Sequence, residues 1–238
     1  NKFKARLVAK GSTQRPGIDF DETYAPVVKF STLRLILAIA TALDMEINQM
    51  DVKTAFLNGD LDIPLYMELP PGINSNRRHV KLLKSLYGLK QSPRLWNQTI
   101  NQFLQQIGFN QSVYDTALYT KYEHGKLTAI IALYVDDLTI CTTNTTLWLE
   151  IRNALNNRFE MEDLGELKYV LGIEVSRNRR DRILSLGQQK YIDDVLSRFQ
   201  LESMKPVSVP MNPHTLLSIV KSEKPVDESE YRSIVGSL

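Results

Sequence analysis

Two adjacent carboxylates, Asp136 and Asp137, are the residues in this sequence with the clearest chemical potential. They follow the apolar run LTAIIALYV and precede the segment LTICT, so a hairpin there would present both carboxylates at the end of a packed sheet. Aspartate is also a favoured turn residue, and a two-residue loop accommodates it without any catalytic role. Taken alone, the pair leaves both interpretations open.

A third carboxylate, Asp51, ends the strand-like segment MEINQMD and precedes a turn into a helix. Two strand ends that each carry carboxylates could meet on one edge of a sheet. Adjacent carboxylates repel each other and raise each other's pKa unless a cation lies between them. Mg²⁺ prefers oxygen ligands and usually takes one or two protein carboxylates together with substrate phosphates. The pattern therefore favours a metal site for phosphoryl or nucleotidyl transfer.

Other catalytic and metal-binding patterns are absent from the sequence. The three histidines are scattered without metal-ligand spacing, and the single cysteine, Cys141, excludes an intrachain disulfide or a cysteine-based zinc site. No G-x-G-x-x-G or G-x-x-x-x-G-K-[ST] motif occurs. The composition of the 238 residues, 43% hydrophobic and 24% charged, is that of a globular protein. No apolar run reaches the roughly 18 residues that cross a bilayer, which predicts a soluble chain with no membrane contact.

Basic residues are concentrated in one stretch, although the formal net charge is only +2. Between Leu69 and Tyr114 there is no Asp or Glu, and aromatic side chains are interspersed among the basic ones. Basic residues without acidic partners suit contact with a phosphate backbone, although a solvated surface would give the same pattern. The basic residues of this stretch are Arg77, Arg78, Lys81, Lys84, Lys90 and Arg94.

Periodicity predicts an α+β chain built on an antiparallel sheet, because adjacent strands are joined by short turns. Residues 3–10 alternate between apolar and basic side chains, which predicts an opening strand with its basic residues on one face. Ser31 and Ser92 are predicted to cap helices that end near Leu43 and Gly108. Further helices are predicted over 146–159 and 191–199, and strands over 47–52, 65–68, 117–122, 127–135, 138–142, 169–175 and 183–186.

Four ordered segments resemble a known family: KARLVAKG at 4–11, QMDVKTAFLNGDL at 49–61, SLYGLKQSPRLW at 85–96 and YVDD at 134–137. Together they resemble the reverse transcriptase domain of Ty1/copia-type LTR retrotransposon Pol polyproteins, and the likeness covers nearly the whole chain. The resemblance implies a right-hand polymerase of fingers, palm and partial thumb, with an antiparallel palm sheet packed on helices. It implies fingers at 1–28 and 59–91, palm at 29–58 and 92–187, and the start of the thumb at 188–238.

The resemblance also implies roles for individual residues. Asp51, Asp136 and Asp137 correspond to the catalytic, metal-binding triad, with the Val52 carbonyl as an additional ligand of Mg²⁺ or Mn²⁺. The residues implied to bind the incoming nucleotide are Arg6, Lys4, Lys10, Phe56, Tyr87 and Gly88. Leu171 and Gly172 resemble the primer grip, and the acid-free stretch predicts that Arg77, Arg78, Lys90 and Arg94 bind nucleic acid.

Phe56, five residues after Asp51, resembles an aromatic steric gate whose ring would occupy the space of a ribose 2′-hydroxyl. Without the resemblance, an ordinary core phenylalanine on a short helix would be the preferred interpretation. Tyr87 and Gln91 differ from the commoner retroviral pattern of Gln and Gly at these places, but they suit the copia branch.

The function that the resemblance implies is RNA- and DNA-directed synthesis of DNA from a primer 3′-hydroxyl. The implied partners are an RNA or DNA template, a primer, dNTPs, and the RNase H and integrase segments of a full polyprotein, in the cytoplasm within virus-like particles. The chain starts and stops inside patterned segments, which predicts a piece of a longer polypeptide. Two alternatives stay open: a catalytically silent, domesticated nucleic-acid-binding remnant, and another palm enzyme such as an RNA-dependent RNA polymerase.

Overall fold

A computed structural model of the chain describes residues 3, 5–73, 78–209, 211, 214 and 227–238. The chain divides into two compact units. The first comprises Asn1–Leu167 and Arg177–Leu184, and the second comprises Lys168–Ser176 and Ser185–Leu238. None of the helices in the described ranges is long and apolar enough to cross a membrane.

The first unit contains three α-helices, eight strands and two 3-10 turns among its described residues. The helices are α1 (Phe30–Ala42), α2 (Ser92–Gln106) and α3 (Thr145–Arg158). The strands are β1 (Glu46–Val52), β2 (Tyr66–Glu68), β3 (His79–Lys81), β4 (Asn110–Gln111), β5 (Leu118–Glu123), β6 (Lys126–Tyr134), β7 (Asp137–Thr142) and β8 (Met161–Glu166). The 3-10 turns span Gly11–Thr13 and Ala55–Asn58.

Six of these strands form one antiparallel sheet in the order β4-β5-β6-β7-β1-β8, and β2 pairs with β3 separately. The prediction of a mixed α+β fold on an antiparallel sheet is therefore confirmed. Most residues of β6 and β7 are buried. Burial on both faces explains why their sequences are almost continuously apolar instead of alternating.

Trp96 links α2 to the turn between β6 and β7. Its side chain is only 1% exposed, and its indole N–H donates to the Val135 carbonyl at 2.7 Å. The ring of Phe159 contacts it edge-on, with the centroids 5.2 Å apart. Loss of such a buried indole costs about 3–5 kcal/mol, so this contact anchors the turn firmly to the core.

Among its described residues, the second unit contains β9 (Tyr169–Val170) and two helices, α4 (Gln189–Arg198) and α5 (Glu228–Val235). Strands β10 (Ile173–Asn178) and β11 (Ile183–Gly187) complete a sheet in the order β11-β10-β9, and their hairpin tip, Arg177–Leu184, belongs to the first unit. Within the first unit, Arg177 and Arg179 of this tip form ion pairs with Asp44 at 3.1 and 3.0 Å.

The predicted opening strand is wrong, because the described part of residues 3–10 forms no strand. The Ala9 N–H donates to the Tyr87 carbonyl at 2.8 Å, but the next residue, Gly88, has φ +93°. Only glycine adopts this conformation readily, and a Cβ there would overlap the Ala9 carbonyl. Gly88 therefore stays packed against Ala9 and Gly11 in a conformation that is not that of a strand, and no ladder forms along the described part of the opening segment.

Both predicted capping serines lie inside their helices, with Lys29 and Gln91 at the N-cap positions instead. The Ser92 hydroxyl donates to the Leu86 carbonyl at 2.6 Å, a contact between loop and helix that local spacing does not reveal.

The strands also differ from the prediction, which did not include β3, β4 or β8. The predicted strand over 169–175 divides at Leu171 and Gly172, whose φ values of +51° and +79° form a tight turn between β9 and β10. Strand β8 was not predicted, because its polar sequence MEDLGE lacks the alternation typical of a half-buried strand.

Candidate active site

The three predicted catalytic carboxylates lie at one end of the central strands. Asp51 on β1 is the direct partner of Asp137 on β7, and directly paired side chains project to the same face with Cβ atoms about 4.5–5.5 Å apart. Asp136 lies in the two-residue turn before β7, and its carbonyl accepts the Val52 N–H at 2.9 Å. The predicted meeting of the two strand ends is therefore confirmed.

The backbone beside the carboxylates is strained at two β-branched residues. Val135, which precedes Asp136, has φ +57°, and Thr54, which follows β1, has φ +53°. Left-handed conformations are unfavourable for β-branched side chains, and such strain tends to occur at functional sites. At Val135 the Trp96 hydrogen bond helps to maintain this conformation.

The environment of Asp137 disfavours its negative charge. Burial raises the pKa of Asp137, and the charge of Asp136 raises it further. The Gln49 side-chain amide opposes this by donating to Asp137 Oδ1 at 3.4 Å. Sequence reasoning missed Gln49, although its position two residues before Asp51 places it on the same face of β1. A bound cation would relieve the repulsion between these carboxylates.

Among the residues that the structure describes, no group of three or more His, Cys, Asp or Glu side chains is arranged to hold a metal ion. Asp51, Asp136 and Asp137 thus do not form such a group in this structure, although their backbones are adjacent. The donor set still fits Mg²⁺ or Mn²⁺, because these hard cations bind carboxylate and carbonyl oxygens and Mg²⁺ needs only one or two carboxylates.

Tyr87 connects the carboxylates with the predicted nucleotide-binding residues. Its ring centroid is 4.6 Å from that of Phe56, and the Arg6 guanidinium carbon lies 5.5 Å from the same ring. Burial raises the pKa of the Tyr87 hydroxyl, the charges of Asp136 and Asp51 raise it further, and Arg6 lowers it. The structure therefore brings these five residues, which come from four separate segments of the sequence, into one neighbourhood.

Phe56 is half-buried at the edge of this neighbourhood, on the 3-10 turn that follows β1. The Ser85 hydroxyl donates to its carbonyl, and the Gly59 N–H donates to the same oxygen at 3.1 Å. The backbone around Phe56 is thus held from two sides while part of the residue stays accessible.

Gly88, which follows Tyr87, is exposed.

The acid-free stretch obtains acidic partners from the segment that precedes it. Arg78 pairs with Glu68 at 3.0 Å, and Arg94 pairs with Asp62 and donates to the Glu22 carbonyl at 3.0 Å. The expectation that these side chains lack acidic partners is therefore wrong. Local sequence could not reveal pairs formed between separate segments.

The remaining predicted contact residues that the structure describes occupy exposed positions in each unit. Lys10 and Lys90 are exposed in the first unit, and Leu171 and Gly172 form an exposed turn in the second. Lys4 and Arg77 lie outside the described residues.

Comparison with known proteins gives concordant matches. The family model described as reverse transcriptase (RNA-dependent DNA polymerase) matches residues 1–213. The whole chain aligns at 42% identity with the retrovirus-related Pol polyprotein from transposon TNT 1-94 of Nicotiana tabacum, and at 44% identity with that from transposon RE1 of Arabidopsis thaliana. The putative transposon Ty5-1 protein of Saccharomyces cerevisiae is 34% identical over 79% of this chain and 62% of its own length.

The chain spans only 18% and 16% of the two plant polyproteins. Its family model nevertheless covers most of the residues, including all those of the carboxylate site. Members of this family are nucleotidyltransferases that generally use divalent metal ions. The chain belongs to the reverse transcriptase (RNA-dependent DNA polymerase) family and is related to the Pol polyproteins of Ty1/copia-type retrotransposons.

Proposed function

We propose that this chain catalyses RNA-directed and DNA-directed synthesis of DNA, adding dNTPs to a primer 3′-hydroxyl during retrotransposon replication. The observation that carries the proposal is the pairing of Asp51 with Asp137, with Asp136 in the adjoining turn. A silent, domesticated remnant would be free to lose any of these carboxylates. Their joint presence at one sheet end supports an active enzyme.

Asp51, Asp136 and Asp137, together with the Val52 carbonyl, would hold Mg²⁺ or Mn²⁺. When bound, paired ions of this kind activate the attacking oxygen and stabilise the leaving oxygen in nucleotidyl transfer. The chain itself supplies the rigid backbone that sets the carboxylate spacing. Gln49 engages one oxygen of Asp137 and leaves the other available.

Arg6, Lys4 and Lys10 are proposed to bind the triphosphate. The Arg6 guanidinium lies beside Tyr87, whose hydroxyl is influenced by Asp51 and Asp136, so Arg6 is near the carboxylates. A planar guanidinium suits phosphate oxygens because it can donate two parallel hydrogen bonds. The adjacent Gly88 is exposed, and we propose that its backbone contacts the nucleotide.

Phe56 is proposed as the gate against ribonucleotides, with Tyr87 as its support. The two rings are in contact, and a laterally supported ring could not move aside for a 2′-hydroxyl. Deoxynucleotide selection of this kind favours a DNA polymerase over an RNA-dependent RNA polymerase.

The wider assignments belong to the same proposal. Residues 1–28 and 59–91 would form fingers, 29–58 and 92–187 the palm, and 188–238 the start of a thumb. Template and primer would contact Arg77, Arg78, Lys90 and Arg94, and the Leu171–Gly172 turn would act as the primer grip. The chain would act together with RNase H and integrase segments of a longer polyprotein, in a cytoplasmic virus-like particle.

Primer extension by the purified chain tests the proposal. The assay uses oligo(dT) annealed to poly(rA), with poly(dA) as a second template, dTTP, and Mg²⁺ or Mn²⁺. Extension by the wild type and its loss in Asp136→Asn are the expected results. A chain that binds the primer–template without extending it, or equal extension by both proteins, would contradict the assignment.

A further inference from the structure

A short loop between β4 and β5 exposes two large apolar side chains. Val113 is 84% exposed and Tyr114 is 89% exposed, although most large apolar residues of the first unit are at least partly covered. Isolated apolar residues on a surface are common, but two adjacent ones at a loop tip are available for contact with a ligand.

The loop is held rigidly by its own polar groups. Asp115 is buried, and its carboxylate accepts the N–H groups of Lys29 at 3.0 Å and Ala117 at 3.2 Å. The Ser112 hydroxyl accepts the Tyr114 N–H at 3.2 Å. These bonds order the backbone and leave the Tyr114 ring outside it, so little conformational entropy would be lost when the ring binds a partner.

The loop lies at the carboxylate-bearing end of the sheet. The Ala117 carbonyl accepts the Leu133 N–H at 2.9 Å, and Leu133 is only three residues from Asp136. In the strand order β5-β6-β7-β1, the start of β5 is three strand spacings from Asp51, about 14 Å at roughly 4.8 Å per spacing. A nucleic acid strand occupying the carboxylate site could reach this loop within a few nucleotides.

The charges around the loop suit a nucleic acid. The Lys29 ammonium donates to the Tyr114 carbonyl at 3.4 Å, which places a cation at the backbone of the loop. The negative charge of Asp115 is directed to backbone donors, and residues 108–114 contain no Asp or Glu. An exposed aromatic ring can stack on a base of any identity, and a lysine held at the same loop can attract phosphate.

We propose that Tyr114, flanked by Val113 and Lys29, is a stacking platform for an unpaired base of a nucleic acid strand held at the carboxylate end of the sheet. The inference rests on the proposed function, because that function brings such a strand to this edge. A stacked base would add affinity without depending on sequence, and it would fix the path of the strand.

Equilibrium binding tests the platform without catalysis. Fluorescence anisotropy measures the dissociation constants of a labelled single-stranded oligodeoxythymidine, its RNA counterpart and a blunt duplex, in chelator and without nucleotides. Tyr114→Ala is expected to weaken single-strand binding about tenfold, while Tyr114→Phe retains it because the ring remains. Tyr122→Ala is the matched control, since Tyr122 is 55% exposed near the other end of the same strand, β5.

Salt dependence separates stacking from charge. Tyr114→Ala should leave the slope of log affinity against log salt unchanged, whereas Lys29→Ala should reduce its magnitude by about 1. Thermal melting should show that Tyr114→Ala folds as the wild type does, because the side chain is exposed.

Equal single-strand affinities for Tyr114→Ala and Tyr122→Ala would overturn the inference. It would also be overturned if Tyr114→Ala weakened binding to the duplex but not to the single strands. A change in sedimentation of Tyr114→Ala with unchanged nucleic acid binding would identify a protein-binding surface instead. Failure of the wild type to bind either oligonucleotide would also overturn it. Failure of primer extension with normal single-strand binding would contradict the proposed function but not the platform.

Discussion

Asp51 lies directly opposite Asp137 in the antiparallel pairing of β1 with β7, and the neighbouring Val52 N–H donates to the Asp136 carbonyl at 2.9 Å. The positions of all three residues are thus set by backbone pairing between strands. Substitutions that keep the side-chain shape should therefore separate chemistry from folding.

Asp136→Asn should lower nucleotide incorporation by at least about 100-fold, as expected when a charge that stabilises the transition state is removed. Primer–template affinity should stay near that of the wild type, because the basic residues are unchanged. Primer extension and anisotropy on the same preparations measure the two effects. Asp21→Asn, at an exposed aspartate of the same unit, is the matched control. A loss of primer–template binding as large as the loss of incorporation in Asp136→Asn would contradict the catalytic assignment.

Phe56→Val should admit ribonucleotides, because it removes the ring that would exclude a 2′-hydroxyl. We expect the ratio of kcat/KM for dTTP to that for UTP to fall at least about tenfold, the scale on which pocket size discriminates between substrates. The kcat/KM for dTTP itself should fall only modestly. Leu57→Val on the same 3-10 turn should leave the ratio unchanged, and an unaltered ratio in Phe56→Val would mean that Phe56 only fills the core.

The carboxylate site could be predicted from sequence because strand ends have a local signature. Asp51 lies near the end of the strand-like segment MEINQMD, and Asp136 and Asp137 follow the long apolar run LTAIIALYV, so each carboxylate could be placed at a strand end. The conformation of the opening segment could not be predicted correctly, because it depends on Gly88, about 80 residues away in sequence. The positive φ of Gly88 prevents a regular strand pairing between the opening segment and the Tyr87–Gly88 backbone. Local propensity contains no information about such a distant backbone.

Contacts between separate segments escaped prediction for the same reason. The pairing of Gln49 with Asp137 depends on the register of β1 against β7, which the sequence pattern does not specify. The ion pair of Arg78 with Glu68 links the residue before β3 to the end of β2, and this pairing of strands was only half predicted because β3 is three residues long. Short strands contain too few residues for alternation to be recognised.

The pH dependence of stability should reveal the raised pKa of Asp137. Because the folded protein binds this proton more tightly than the unfolded chain does, the stabilisation from Asp137 is complete below the unfolded pKa of about 3.9 and is lost as pH rises through the raised folded value. Asp137→Asn should therefore gain stability relative to the wild type as pH increases from 4 to 7. Urea unfolding in chelator measures this difference, and a constant difference across that range would contradict the prediction.

Arg78→Ala should weaken binding to all nucleic acid sequences similarly and reduce the salt slope by about 1, if Arg78 contacts a phosphate. Stability should change by less than about 1 kcal/mol, because its ion pair with Glu68 is exposed. Glu68→Gln provides the opposing test, since it releases Arg78 from its partner and should strengthen binding. Anisotropy titrations at several salt concentrations measure both variants, and unchanged slopes would exclude a phosphate contact there.

Asp115→Ala should destabilise the first unit by about 1–3 kcal/mol, because it leaves the N–H groups of Lys29 and Ala117 without their acceptor. Burial alone would raise the pKa of Asp115, but hydrogen bonds from Thr32, Lys29 and Ala117 outweigh it and hold the pKa below its usual value. Its stabilisation is therefore present above the unfolded pKa and is lost as pH falls through the lower folded value. Denaturant unfolding at pH 7 and near pH 3 should show the variant approaching the wild type at the acidic end. A stability difference that persists undiminished at acidic pH would mean that Asp115 acts through packing and not through its charge.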